Sequence, residues 1–224
     1  MVNENKTSKY LKYAIGEIVL VVIGILIALQ INNWKTDRTD RKEEVFYLQK
    51  LRQNLSQDTL YISQRTSQMD RVLSSLKAMN EQSKDPLLER FSDSVNVGRL
   101  LSIFNFSPQT STFDNLISTG KLALLTNQSL VDSLFVYYND LNNYTKQVNE
   151  GINVYSRNTI APFLLEFDDI RNPRRKPIDY GNETFIKNVI ELKIGLINTL
   201  KYRYGNASKR CLNIFEMIDA QLHD

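Results

Sequence analysis

The sequence predicts an all-α protein, an N-terminal transmembrane helix followed by an extramembrane bundle of long antiparallel helices. Three observations predict it. Residues Ala14 to Ile31, AIGEIVLVVIGILIALQI, form a near-continuous apolar run with a single carboxylate, Glu17, close to its start. Beyond it, apolar residues recur at helical rather than alternating spacing in three long stretches. Only 8 Gly and 5 Pro occur among 224 residues, too few for the many tight turns of a sandwich or barrel. The expected organisation is a short tail at 1–13, a membrane helix at 14–31 and a helical extramembrane domain at 32–224.

The first element is read as a retained span. At about 1.5 Å per residue a helix of these residues is roughly 27 Å long, close to a hydrocarbon core of about 30 Å. A cleaved signal peptide wants small residues in an A-x-A arrangement after the apolar run, and Ala28-Leu29-Gln30-Ile31-Asn32-Asn33-Trp34 offers none. A soluble core helix would keep one polar face, yet the run is apolar all round between Ile18 and Leu29. Lys9, Lys12, Tyr13 and Trp34 stand where interfacial anchors belong. Lys6, Lys9 and Lys12 precede the span, while the basic residues after it are interleaved with Asp37, Asp40, Glu43 and Glu44. The positive-inside rule then favours a cytoplasmic N-terminus and an external domain, which in a bacterium means the periplasm.

Within the span, successive residues turn by about 100°, so Glu17, Gly24 and Ala28 share one stripe. Small residues four apart permit close helix approach, and a carboxylate on the same stripe would pair with a Lys, Arg or hydroxyl of a partner helix. The alternative is that Glu17 lies one turn inside the interface and reaches headgroups or Lys12.

From Glu43 to about Asn80 there is no Gly or Pro, and Leu48, Leu55, Ile62, Met69 and Leu76 repeat every seven residues. Polar Arg52, Thr59 and Thr66 spoil an isolated coiled coil, so packing against later helices is expected. Ser83-Lys84-Asp85-Pro86 ends that helix. A short helix is compatible with Asp93 to Phe104. Ser107-Pro108 reads as a cap and first position, with the helix running over Thr110 to Thr119 and stopping at Gly120. Asn127 or Ser129 opens another long helix, striped by Leu130, Leu134, Tyr137, Tyr138, Leu141 and Tyr144, reaching Tyr155 and, after adjustment at Pro162, Phe167. Asp168 to Gly181 reads as an exposed loop. A last helix from Glu183 to about Leu222 carries Phe185, Val189, Leu192, Leu196, Leu200, Tyr204, Leu212, Phe215 and Ile218.

The string Tyr13 to Trp34, YAIGEIVLVVIGILIALQINNW, resembles the N-terminus of a Bacteroidota family of uncharacterised single-span membrane proteins carrying a domain of unknown function. The mid-chain stretch Thr112 to Lys121-Leu122 is similar to that family as well. The resemblance implies an inner-membrane protein of a Gram-negative cell and supplies no catalytic residue.

Chemistry is sparse. There is no G-x-S-x-G, P-loop, H-E-x-x-H or G-x-G-x-x-G signature, so no catalytic residue and no cofactor are expected. One His and one Cys leave too few ligands for a zinc site of the usual N/S type. Glu166 with Asp168-Asp169 lacks the ligand spacing and turn glycine of a calcium loop, so no metal is expected. A net charge of +3 argues against bulk nucleic-acid binding. Arg171, Arg174, Arg175 and Lys176 form a basic loop suited to headgroups or an acidic partner, or simply a solvated linker. Ser107, Thr110, Ser111 and Thr112 crowd one helix start, an arrangement suited to capping or to holding an anion. The expected partners are the lipid bilayer and either another protein or a second copy. The expected role is non-enzymatic, an accessory or assembly protein; the alternative is a ligand-sensing domain working with a separate signalling subunit.

Overall fold

The computed structural model describes residues 4–85, 91–167 and 183–223, the side chains of 4–9, 167 and 183 excepted. Among the described residues every regular element is helical. The chain divides into two compact units, Met1–Leu48 and Gln49–Asp224.

The first unit is helical from Glu4 onward, as the opening part of α1 (Glu4–Gln82). Helical conformation therefore begins before the apolar run and takes in residues 4–13. The segment contains an eighteen-residue window of mean hydropathy 2.6, none of it buried within the protein. Towards its end Thr36 and Thr39 donate their hydroxyls to the carbonyls of Asn32 and Lys35 at 3.1 and 3.0 Å. Arg41 pairs with Glu44 at 2.7 Å, one turn apart on the helix.

In the second unit, the remainder of α1 packs by its heptad stripe. Leu55, Ile62, Met69 and Leu76 are 2% exposed or less. Its partner is α6 (Glu183–His223), and the pairing is antiparallel: Arg52 meets Asp219, Asp70 meets Lys201, and Asn80 meets Glu191. Equal steps forward on one helix match equal steps back on the other, so the two run in register over most of their shared length.

The third long element is one rod built from α3 (Gln128–Asn139), α4 (Lys146–Tyr155) and α5 (Ala161–Phe167), joined by wider π-helical turns at Asp140–Thr145 and Ser156–Ile160. Asn127 caps it, its side chain accepting from the Leu130 N–H at 3.1 Å. The Ser156 hydroxyl, accepting from the Lys193 ammonium, and the ion pairs of Arg203 and Arg210 with Asp140 at 3.7 and 3.4 Å tie this rod to α6, again antiparallel. The second unit of α1 and the α3–α5 rod consequently run in the same direction, both opposed by α6.

Two parallel helices cannot be joined by a short turn, and the intervening chain returns along α1. The Asn96 N–H meets the Ser75 hydroxyl, the Gln109 N–H meets Asp58, and Asn54 meets Thr112, at 2.9 Å in each case. This return segment holds a 3₁₀ turn at Val97–Leu101 and α2 (Ser111–Ser118). The short helix compatible with Asp93 to Phe104 is thus only that 3₁₀ turn. Ser107 and Pro108 do not open α2; the cap position is Thr110, without a side-chain cap bond. The backbone of Gln109 is held by tertiary bonds instead, its N–H donating to Asp58 while its carbonyl accepts from Asn54 and the Tyr138 hydroxyl. These tertiary bonds outweigh the local capping preference. Gly120 does stop the element, at φ 70° in the left-handed region.

Two expected stripes are corrected. Tyr144 is 53% exposed and Thr145 is buried in its place, because the π turn inserts a residue and shifts the phase of the buried face. On α6 the buried seam is Ile186, Ile190, Lys193, Ile197, Leu200, Tyr204, Ala207, Cys211, Ile214 and Ile218, with the expected Val189 buried beside it, whereas Leu192 and Leu212 are more than half exposed. A 4–3 alternation holds the seam throughout, and it passes through a lysine and a cysteine. The second π turn sits just before Pro162, which has no N–H to donate and whose ring opposes the preceding turn's carbonyl.

Candidate functional site

The apolar part of α1 places Glu17, Gly24 and Ala28 on one exposed stripe. An added Cβ at Gly24 meets nothing within 4 Å, so that face is open to another helix. Tyr13 and Trp34 are 77% and 61% exposed, about 32 Å apart along the axis at 1.5 Å per residue. That separation matches a hydrocarbon core of about 30 Å. The Arg38 guanidinium lies 5.6 Å from the Trp34 ring centroid, a cation–π contact that anchors the aromatic beside a charge. Lys12 is exposed. The side chain of Lys9, and Arg171, Arg174, Arg175 and Lys176 in full, lie outside the described residues.

The second unit contains two buried ionisable centres that periodicity did not reveal. Asp58 has no exposed surface. It accepts from the Gln109 N–H at 2.9 Å and the Tyr137 hydroxyl at 3.0 Å. Burial pushes its carboxyl up to about 6, with the two hydrogen bonds pulling the other way. Lys193 is equally buried, its Nζ donating to the Ser102 carbonyl at 2.8 Å and the Ser156 hydroxyl at 2.5 Å. Loss of hydration lowers its ammonium to about 8. A serine beside a lysine of depressed pKa is a pairing that can activate a nucleophile, but Ser156 is 4% exposed and both groups are enclosed in the bundle. Each centre ties the return segment to two helices, Asp58 through Gln109 and Lys193 through Ser102. Among the described residues no group of three His, Cys, Asp or Glu side chains converges as a metal site.

The Ser107, Thr110, Ser111 and Thr112 cluster is used internally at one point: the Thr112 hydroxyl accepts from Asn54. Tyr138 stacks on Phe113 at 4.9 Å, and Phe135 meets the same ring edge-on at 5.0 Å. The mid-chain stretch is therefore the buttress between α1 and α3.

Residues 17–159 match the model of a family of unknown function, DUF6090, and the chain belongs to that family. The matched region begins at Glu17 and takes in most of the apolar run, the return segment, the first π turn and all but the last residue of the second. No curated protein and no solved structure matches the chain.

Proposed function

We propose that this DUF6090 member is a single-span inner-membrane protein, N-terminus cytoplasmic and helical domain periplasmic, that works by assembly with another membrane protein or a second copy of itself. The observation that carries the reading is an apolar helical window with none of its surface buried in the protein. In water, that much exposed apolar surface has no stable resting place, whereas a bilayer covers it. The Glu17, Gly24 and Ala28 stripe gives the assembly its specificity: small residues allow close approach, and the carboxylate finds a Lys, Arg or hydroxyl on the facing helix. The role is that of an accessory subunit and involves no catalysis by this chain.

Glu17→Gln combined with Gly24→Leu tests the stripe. Purification of full-length protein in mild detergent, followed by mass determination, is expected to lose the associated chain while alkaline extraction still leaves the variant in the membrane. An unchanged complex sinks the stripe as the contact. Fusion of periplasm-dependent and cytoplasm-dependent reporters to the C-terminus checks the orientation, the first being active and the second silent.

A further inference from the structure

Helical conformation runs unbroken through the first unit, from the apolar run into the charged stretch beyond Trp34. The phase of the helix is therefore carried across the membrane boundary, each residue turning about 100° from the last. Counted from Glu17, Gly24 and Ala28 lie within about 20° of it. Lys35, about five full turns on, returns to the same azimuth, and Lys42 comes within about 20°. Arg38 stands about 60° to one side, its guanidinium over the Trp34 ring.

The acids of the same stretch lie across the helix. Asp40 falls at about 140°, Glu44 at about 180° and Asp37 at about 200°, and on that far side Arg41 pairs with Glu44 at 2.7 Å. Glu43, at about 80°, falls between the two sides. Charges that alternate along the sequence are thus sorted around the helix, basic on the side of Glu17 and acidic opposite. Glu17, Lys35, Arg38 and Lys42 are all exposed.

Lipid, a second copy and a different chain compete for this face. The headgroup layer extends only about 5–8 Å beyond the hydrocarbon. Lys42 lies eight residues past Trp34, about 12 Å further along the axis. Headgroups also surround a helix evenly and give no reason to sort its charges to one side. A second copy in the same orientation would set Glu17 against Glu17, Lys35 against Lys35 and Lys42 against Lys42. Two carboxylates sharing a low-dielectric contact oppose each other's ionisation, and like charges brought face to face disfavour the pairing. A different chain is free of that symmetry. Its helix can offer a Lys, an Arg or a hydroxyl at the depth of Glu17, about one turn inside Tyr13. Further along, it can offer carboxylates to the ammonium groups of Lys35 and Lys42.

We infer that the occupant of this face is a different membrane protein, with a basic or hydroxyl side chain opposite Glu17 and carboxylates opposite Lys35 and Lys42. The inference rests on the single-span assembly reading above and narrows its partner to a heterologous one. Gly24 and Ala28 let the two helices close between the polar contacts.

A photo-crosslinking amino acid, placed at Thr39 or at Asp37 of the full-length protein in its native cells, tests the assignment. Thr39 is about 40° from the Glu17 azimuth and Asp37 is across the helix. The Thr39 adduct is expected to contain a second protein with Asp or Glu just beyond an apolar span. The Asp37 position is expected to give at least fivefold less adduct. Lys35→Glu with Lys42→Glu is expected to cut the Thr39 adduct at least fivefold, and lysines in place of the partner's facing carboxylates to restore it. Asp37→Lys with Asp40→Lys reverses as many charges on the far side and is expected to leave that adduct unchanged. An adduct of twice the chain's own mass overturns the inference and leaves the assembly reading standing. A partner without facing carboxylates does the same, as does equal loss from both double reversals. An adduct with phospholipid alone, or none, ends both this inference and assembly through the stripe; alkaline extraction then shows whether the span still holds.

Discussion

Asp58 shows how one buried group binds sequence-distant segments and sets a pH response. Its carboxyl sits at about 6 in the fold against an ordinary 3.8, because losing water outweighs the bonds from Gln109 and Tyr137. The folded state therefore keeps the proton to higher pH than the unfolded chain does. The stabilising contribution is complete below about pH 4 and is lost as pH rises to about 6. Asp58→Asn keeps an oxygen for the Gln109 N–H and cannot ionise. Its advantage over wild type is expected to be small at pH 4 and to grow to ~1–2 kcal/mol by pH 7, measured by urea unfolding. A difference that stays constant across that range would show that Asp58 does not titrate in this way. Neither Asp58 nor Lys193 stands out in the sequence: each is a polar residue on an otherwise amphipathic helix, and only the return segment arriving above it explains its burial.

At the scale of elements, the helices follow from periodicity and their phases do not. The heptad of α1, the Asn127 cap and the Gly120 stop depend on neighbours in sequence, so they are legible there. The exposed position of Tyr144 depends on a π turn, which inserts a residue without altering composition. On α6 several apolar series coexist, and tertiary contact chooses the one that carries Lys193 and Cys211. The choice is measurable. Ile197→Ala is expected to cost ~2–5 kcal/mol as a buried truncation, while Leu192→Ala, at 51% exposure, should cost less than ~1 kcal/mol. Comparable losses from both would place the seam wrongly. The start of α2 departs from its local signal for a related reason: Ser107-Pro108 is locally a good cap, and the long-range bonds to Gln109 win.

For the whole molecule, the apolar window of α1 is its largest commitment. Arginine at the centre of a spanning helix costs ~2.5–3.5 kcal/mol on insertion scales, so Ile23→Arg with Leu26→Arg is expected to move the protein from the alkaline-extracted membrane pellet to the supernatant. Retention of the double variant in the pellet would mean that something other than this helix holds it. A cleft beside the return segment, lined by Asn105 and Asn153 among others, is legible only at this scale. Asn105 and Asn153 are far apart in the chain, and nothing in either neighbourhood announces the other. They meet because the return segment must travel back along α1 before the third rod can begin.

The antiparallel register of α1 with α6 also has a mechanical consequence. Arg52 and Asp219 meet near the two ends of the second unit, so a pull applied between those ends acts on a zipper and not on a lap joint. The load falls first on that pair, then on Asp70 with Lys201, and only last on Asn80 with Glu191. Contacts loaded one after another yield at far smaller forces than contacts loaded together. Tension on this unit would peel α6 away from its C-terminal end, leaving the return segment until last.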